Sequence, residues 1–304
     1  MNMRKSIVFI LAALLLPFCQ QFAAAPVQVV LARNPRAVNE RNVCNALETA
    51  RLFDRALLEL TGAKTQAEAW KALGLTGSDT VAVKVNCNNW TIALNPHREL
   101  IDALCRSLQS VIPANRIIIY DNSEAALIKS GFAVNRSASG VRFFGTDHGD
   151  GFDAGERLTR IISAIASKVI NLASLKCVEA DMAASLFLKN HIGSLLPEDM
   201  AKCHNDPDFL AEVSSRPSIK NKTILNLCDG LRGSYRRGVP WYWGGIIMSK
   251  DPVAAEAAAL QVINEKRQME KLPPLAEPEA LRIAENKYRL GSRVRDVVKT
   301  KIEM

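Results

Sequence analysis

"RIIIYDNS", Arg116 to Ser123, is the stretch whose reading decides the fold. Ile117, Ile118, Ile119 and Tyr120 follow one another with no polar break. A half-exposed strand would alternate. An unbroken β-branched run of this kind reads as a strand covered on both faces, as strands of parallel sheets are. Asp121 and Asn122 end the run, and a short helix follows from Ser123. The unit is therefore strand, polar tip, helix.

That unit recurs on either side. "VQVVLA" (27–32), "TVAVKVN" (80–86), "VRFF" (141–144), "KVINLA" (168–173), "KTILNLCD" (222–229) and "GGIIMS" (244–249) read as strands. Helices are expected over 39–60, with Leu47, Leu52, Leu57 and Leu58 on the apolar face, and over 95–112, with Asn95 opening the helix and Pro96 at its first position. Further helices are expected over "VEADMAASLFLKN" (178–190) and "DPVAAEAAALQVINEKR" (251–267), the latter capped by Asp251. A last one is expected over "EPEALRIAENKYRLG" (277–291), stopped by Gly291. Strands alternating with helices imply an α/β fold, a mostly parallel sheet with helices on both faces. No repeat or long linker divides the chain, so a single domain over 26–304 is expected, with a helical C-terminal extension at 272–304.

Residues 1–25 have the layout of a secretory leader: positive "MNMRK", apolar "SIVFILAALLLPF", then small residues ending in Ala23 and Ala25. An exported protein, periplasmic or extracellular, is expected, with membrane contact only through this segment if it is retained. The leader holds Arg4 and Lys5 and no acid, so the full-chain net charge of +8 leaves +6 on the rest. That weakly favours anionic partners. No basic stripe with interleaved aromatics points to nucleic acid. The hydrophobic fraction of 48% excludes a disordered chain. Of seven cysteines, six lie beyond the leader, where an exported chain can pair them.

Ligands of open parallel sheets bind beyond the carboxyl ends of the strands. The polar residues there are Lys84, Asn86, Asn88 and Asn89; Asp121, Asn122 and Ser123; Asn171 and Lys176; Asn226 and Asp229; Ser249 and Asp251. Turn and cap chemistry accounts for Asn, Asp and Ser at such places. It does not account for Lys84, a cation inside an apolar strand. Lys176 is expected at the end of a strand and the start of a helix, where free N–H groups favour an anion. Lys189 and Asn190 come near that helix's end. Arg232 lies in "GLRGSYRRG" (230–238), read as a glycine-rich loop able to clamp an anion. Asp121 and Asp229 are the candidate acid or base. Cys87, Cys177 and Cys228 each follow a strand's polar end and offer a metal or redox reading instead. No Walker loop, G-x-G-x-x-G, H-E-x-x-H or G-x-S-x-G is present.

Over roughly 80–264 the chain resembles the domain of unknown function 362 family, a prokaryotic group. The resemblance rests on "KVN", "HRELIDAL", "DNS", "VINLASLK", "LFLKNHIG", "CDGLRG" and "GGIIMSKDPVAAEA", in that order. It implies an α/β fold and no established reaction. Many members are exported, and many carry a ferredoxin-like cluster domain; this chain has no Cys-x-x-Cys-x-x-Cys run. At "LKC" it departs from the family, placing Cys177 and Val178 where a histidine often follows the lysine. The cofactor is left unknown. Three functions stay open: a protein binding an anionic small molecule or cofactor at the strand ends, with or without catalysis; a non-catalytic periplasmic binding protein; and a metal or redox protein using the cysteine trio.

Overall fold

A computed structural model describes residues 26–87, 94–179, 183–293 and 297–304. The leader segment, Asn88 and Asn89 lie outside the described residues. In chain order the elements are β1 (Val27–Arg33), α1 (Ala46–Thr61), α2 (Gln66–Ala72), β2 (Val81–Lys84), α3 (Arg98–Leu108), β3 (Ile117–Asp121), α4 (Glu124–Lys129) and β4 (Arg142–Gly145). They continue with β5 (Lys168–Lys176), α5 (Phe187–Asn190), α6 (Pro207–Ser215), α7 (Pro217–Lys220), β6 (Thr223–Arg236), β7 (Val239–Trp241), β8 (Gly245–Ser249), α8 (Pro252–Met269), α9 (Glu279–Asn286) and β9 (Val297–Glu303).

The described strands form one mixed sheet in the order β4-β3-β2-β5-β6-β8-β1-β9, with β7 paired to β6. It is mostly parallel; β8 runs against β6 and β1, and β7 against β6. All five residues of β3 are buried, as its apolar run requires. One face packs Val81, Val83, Ile117 and Ile119 against α1, α2 and α3 through Leu52, Phe53, Trp70, Leu100 and Leu104. The other carries Ala82, Ile118 and Tyr120 on one side, and Ala173, Leu175 and Ile247 beneath α8 on the other. Ala254, Ala255, Ala258 and Ala259 are fully buried, so α8 meets the sheet through small side chains. Asp251 accepts from the N–H groups of Val253 and Ala254, and Pro252 fills the first helical position, where its missing N–H costs nothing.

Several boundaries differ from the sequence reading. Helix α1 starts at Ala46, seven residues late, because Asn39 takes the N–H groups of Arg41 and Val43 and holds the preceding segment in turns. Helix α3 starts at Arg98 with His97 before it; Asn95 instead donates to Ser130 Oγ. The helix expected over 178–190 shrinks to the four residues of α5. Strand β5 runs on to Lys176, and Glu179 and Ala183 take φ of 57° and 51°, a left-handed conformation no α-helix accommodates. The "GLRGSYRRG" segment is not a loop: β6 continues to Arg236 and turns into β7. A Cβ on Gly230 would sit 2.5 Å from the Trp243 ring, and one on Gly233 2.7 Å from Trp241, so these glycines serve close ring packing. The C-terminal extension is a helix followed by a strand, since β9 pairs in parallel with β1.

Candidate functional site

Strands β2, β3 and β4 step away from the centre of the sheet in one direction, and β5 and β6 lie on the other side of β2. The order therefore reverses between β2 and β5, the place where strand tips leave a crevice. A cleft of about 650 Å³ opens there. It is lined by Lys84 from β2, Asp121 from β3, Lys176 from β5 and Lys189 and Asn190 from α5, together with Asn86. Four of the residues expected at the strand ends, Lys84, Asn86, Asp121 and Lys176, and the two expected near a helix's end, Lys189 and Asn190, thus meet around one space.

Lys84 and Asp121 form the floor. Lys84 is 2% exposed, and its Nζ lies 2.7 Å from Asp121 Oδ1. The ammonium also donates to the Val85 carbonyl at 2.6 Å. The carboxylate accepts from the N–H of Cys87 at 2.6 Å and from that of Asn122 at 2.7 Å. A buried pair survives only when such extra hydrogen bonds replace lost water, and both partners have them. Gly193 lies against the pair: a Cβ there would be 2.8 Å from Asp121 Oδ1 and 2.9 Å from Lys84 Nζ.

Asn190 ties the wall to the sheet. Its Nδ2 donates to Asn171 Oδ1 at 2.8 Å and to the carbonyls of Lys84 and Leu172 at 3.1 Å each. These carbonyls belong to adjacent parallel strands, where the ladder ends. One amide thus satisfies acceptors of β2 and β5 that would otherwise be stranded. Helix α5 is held in turn by Glu256 of α8, whose Oε2 accepts the N–H of Leu188 at 2.9 Å.

Lys176 is 4% exposed. Burial, reinforced by the charges of Lys189 and Lys84 and opposed by Asp121, brings its amine down to about 8. Burial lowers Lys189 as well. Its Nζ lies 3.5 Å from His204 Nδ1, and His204 is depressed by burial and by that neighbouring charge. Lys129, from the last turn of α4, completes the lining cations. Among the described lining residues Asp121 is the one acid, so the cleft has an excess of positive charge.

Two candidates stand elsewhere. Asp229 does not line the cleft. Its carboxylate takes the N–H of His97 at 2.7 Å, His97 Nδ1 at 2.9 Å and the N–H of Leu231 at 3.1 Å, fixing the start of α3 to β6. Burial opposes protonation of His97, but the Asp229 charge and hydrogen bond prevail and raise it to about 10. Asp229 is thus a structural counter-ion, not a catalytic group of this cleft. Arg232 is carried by β6, with its guanidinium 5.1 Å from the centre of the Tyr242 ring, and is not among the residues lining this cleft.

The thiols do not gather either. Cys87 belongs to the core on one face of the sheet, and Cys177 and Cys228 to the core on the other. Among the described residues no three His, Cys, Asp or Glu side chains are placed to hold a metal ion. The six described cysteines are free thiols. Lys129, Gly193 and His204 were not singled out from sequence. A lysine in a helix's last turn reads as a dipole partner, and a glycine's tight packing has no sequence signal.

With this geometry in place, the chain belongs to the family described as a domain of unknown function (DUF362), whose family model matches residues 81–261. The matched span contains every described residue named above as lining the cleft. No curated protein and no solved structure matches the chain.

Proposed function

We propose that the cleft at the tips of β2, β3 and β5 binds an anionic small molecule. One observation carries this reading: Lys84, Lys176, Lys189 and Lys129, from four different elements, line one space with a single carboxylate among the described residues. Cations so placed repel one another, and burial has already lowered two of the amines. An anion relieves both costs. The space of about 650 Å³ suits a metabolite-sized ligand. Lys84 and Asp121 set the floor, Lys176 and Lys189 supply the charge, and Asn86 and Asn190 supply amides.

Asp121 already accepts three hydrogen bonds, which favours a positioning role over acid–base work and a binding protein over a hydrolase. The leader-like residues 1–25 support an exported location for this binding. The metal reading finds no support in thiols divided between two cores.

Calorimetric titration of the full chain with inorganic phosphate and with di- and tricarboxylates tests the reading. Lys176→Met or Lys189→Ala is expected to weaken the best of these ligands roughly tenfold or more, since a hydrogen bond to a charged group is worth about 1.5–3 kcal/mol. The ligand needs Lys176 protonated, so affinity holds below pH 8 and declines as pH rises through about 8. Equal affinities in the wild type and both variants, or no binding of any of these anions, would overturn it.

A further inference from the structure

A second, smaller cavity of about 190 Å³ lies across the Asn190–Asn171 amide contact from the cleft. Asn171 forms part of its wall, as do Lys220 and Lys250, and among the described lining residues there is no acid. Phe187, Ile219 and Leu290 give it an apolar side.

His191 completes the wall, and its hydrogen bonding is unfinished. The ring is 1% exposed and its Nε2 has no partner among the described residues. Its Nδ1 lies 3.2 Å from Ser194 Oγ, which lies 3.0 Å from the hydroxyl of fully buried Tyr120. The tyrosine proton has Ser194 to donate to. With the tyrosine as first donor, Ser194 donates its own proton to His191 Nδ1, the bare nitrogen of a neutral ring in that arrangement. Burial, with the Lys84 charge adding to it, holds the imidazole down to about 3, so the ring is indeed neutral. In that arrangement the remaining proton sits on Nε2, a buried donor with no acceptor among the described residues. Lys250, exposed at the rim, makes no hydrogen bond or ion pair through its side chain among the described residues.

We propose that this cavity is a second binding site, taking a short-chain monocarboxylate. One carboxylate oxygen accepts from His191 Nε2–H and the other meets the Lys250 ammonium, while a tail of a few carbons covers Phe187, Ile219 and Leu290. The lysines exclude a cation, and the apolar side disfavours phosphate. The site is independent of the ligand proposed for the cleft.

The test uses the full chain, with butyrate as the probe and butyramide and inorganic phosphate as comparisons, read by long-range ¹H–¹⁵N spectra of the histidine rings. Butyrate is expected to shift the His191 Nε2 resonance saturably; butyramide and phosphate leave it in place. Lys250→Ala, at an exposed position that spares the fold, is expected to weaken this response at least fivefold. Lys189→Ala, in the cleft, leaves it unchanged. An unmoved His191 resonance would overturn the proposal. So would a response abolished by Lys189→Ala, an equal response to phosphate, or a crystal grown in butyrate with only water in the cavity. None of these outcomes bears on whether phosphate or larger carboxylates bind in the cleft.

Discussion

Lys84 was legible in the sequence because a lysine between valines in an apolar strand has no water to point into, and its partner Asp121 because it ends the neighbouring strand. The third member of the arrangement, Gly193, was not. Its constraint is a distance to side chains remote in sequence, and its own backbone is unremarkable. Gly193→Ala tests whether the pair tolerates crowding. The new methyl would stand under 3 Å from atoms of both Lys84 and Asp121, and neither can retreat into solvent. Overpacking of this kind costs about 1–3 kcal/mol. The expected outcome is a stability loss in that range by urea unfolding, together with weakened anion binding in the cleft. An alanine variant equal to wild type in both would show that the pair is looser than its geometry. Asp229 teaches the complementary lesson. The sequence puts it at a strand's end like Asp121, yet β6 runs on past it to Arg236 and His97 turns it into a strut, and nothing local in "LCDG" distinguishes the two.

At the scale of elements, the misread helix is the instructive case. "VEADMAASLFLKN" is rich in good helix formers, so local preference argued for a helix of thirteen residues. Tertiary pairing won: Lys176 bonds into the ladder with β6, and Cys177 bridges to Ala184. What remains helical is the four-residue α5, far too short to stand alone. It is anchored by Glu256, fully buried on α8, whose carboxylate takes the N–H groups of Leu188 and Phe187. Burial raises Glu256 from 4.5 to about 7, the two N–H bonds offsetting part of the rise. The folded state therefore holds this proton where the unfolded chain has released it. Stability from Glu256 is fully present below pH 4.5 and is lost as pH rises through about 7, by at most about 1.4 kcal/mol per unit. Glu256→Gln keeps the shape and removes the titration. Unfolding free energies measured from pH 4.5 to 8 are expected to fall for the wild type relative to the variant across that window, then run parallel. Parallel curves throughout would mean that Glu256 is ionised in the fold.

For the whole molecule, the alternation of strands and helices was enough to place the cleft in principle, because parallel sheets leave crevices at the ends of strands where their order reverses. The order itself was hidden: no local pattern tells that β5 lies beside β2, or that β1 and β9 form the far edge. Strand β9 was missed because "VVKTKIE" carries little apolar surface; it lies exposed on the rim and is joined to β1 by backbone pairing from Val27↔Val297 to Arg33↔Glu303. Such a strand contributes little to the core and shields the edge of one that does, since Val29, Val30, Leu31 and Ala32 are buried. Between that edge and the cleft stand β8 and β6. Deleting residues 297–304 should therefore separate two properties. Loss of these weakly buried hydrogen bonds costs a few kcal/mol at most, at roughly 0.5–1.5 kcal/mol each with the backbone ordering entropy regained. Anion affinity of the cleft is expected to stay within about twofold of wild type, because the strand tips that form it are untouched. The bared β1 offers unpaired N–H and C=O groups to a second copy, so sedimentation velocity is expected to show stronger concentration-dependent self-association than in the full chain. A truncated protein that associates no more than the full chain would remove the protective role assigned to β9. One that loses the anion while still folded would show that the far edge of the sheet reaches the cleft after all.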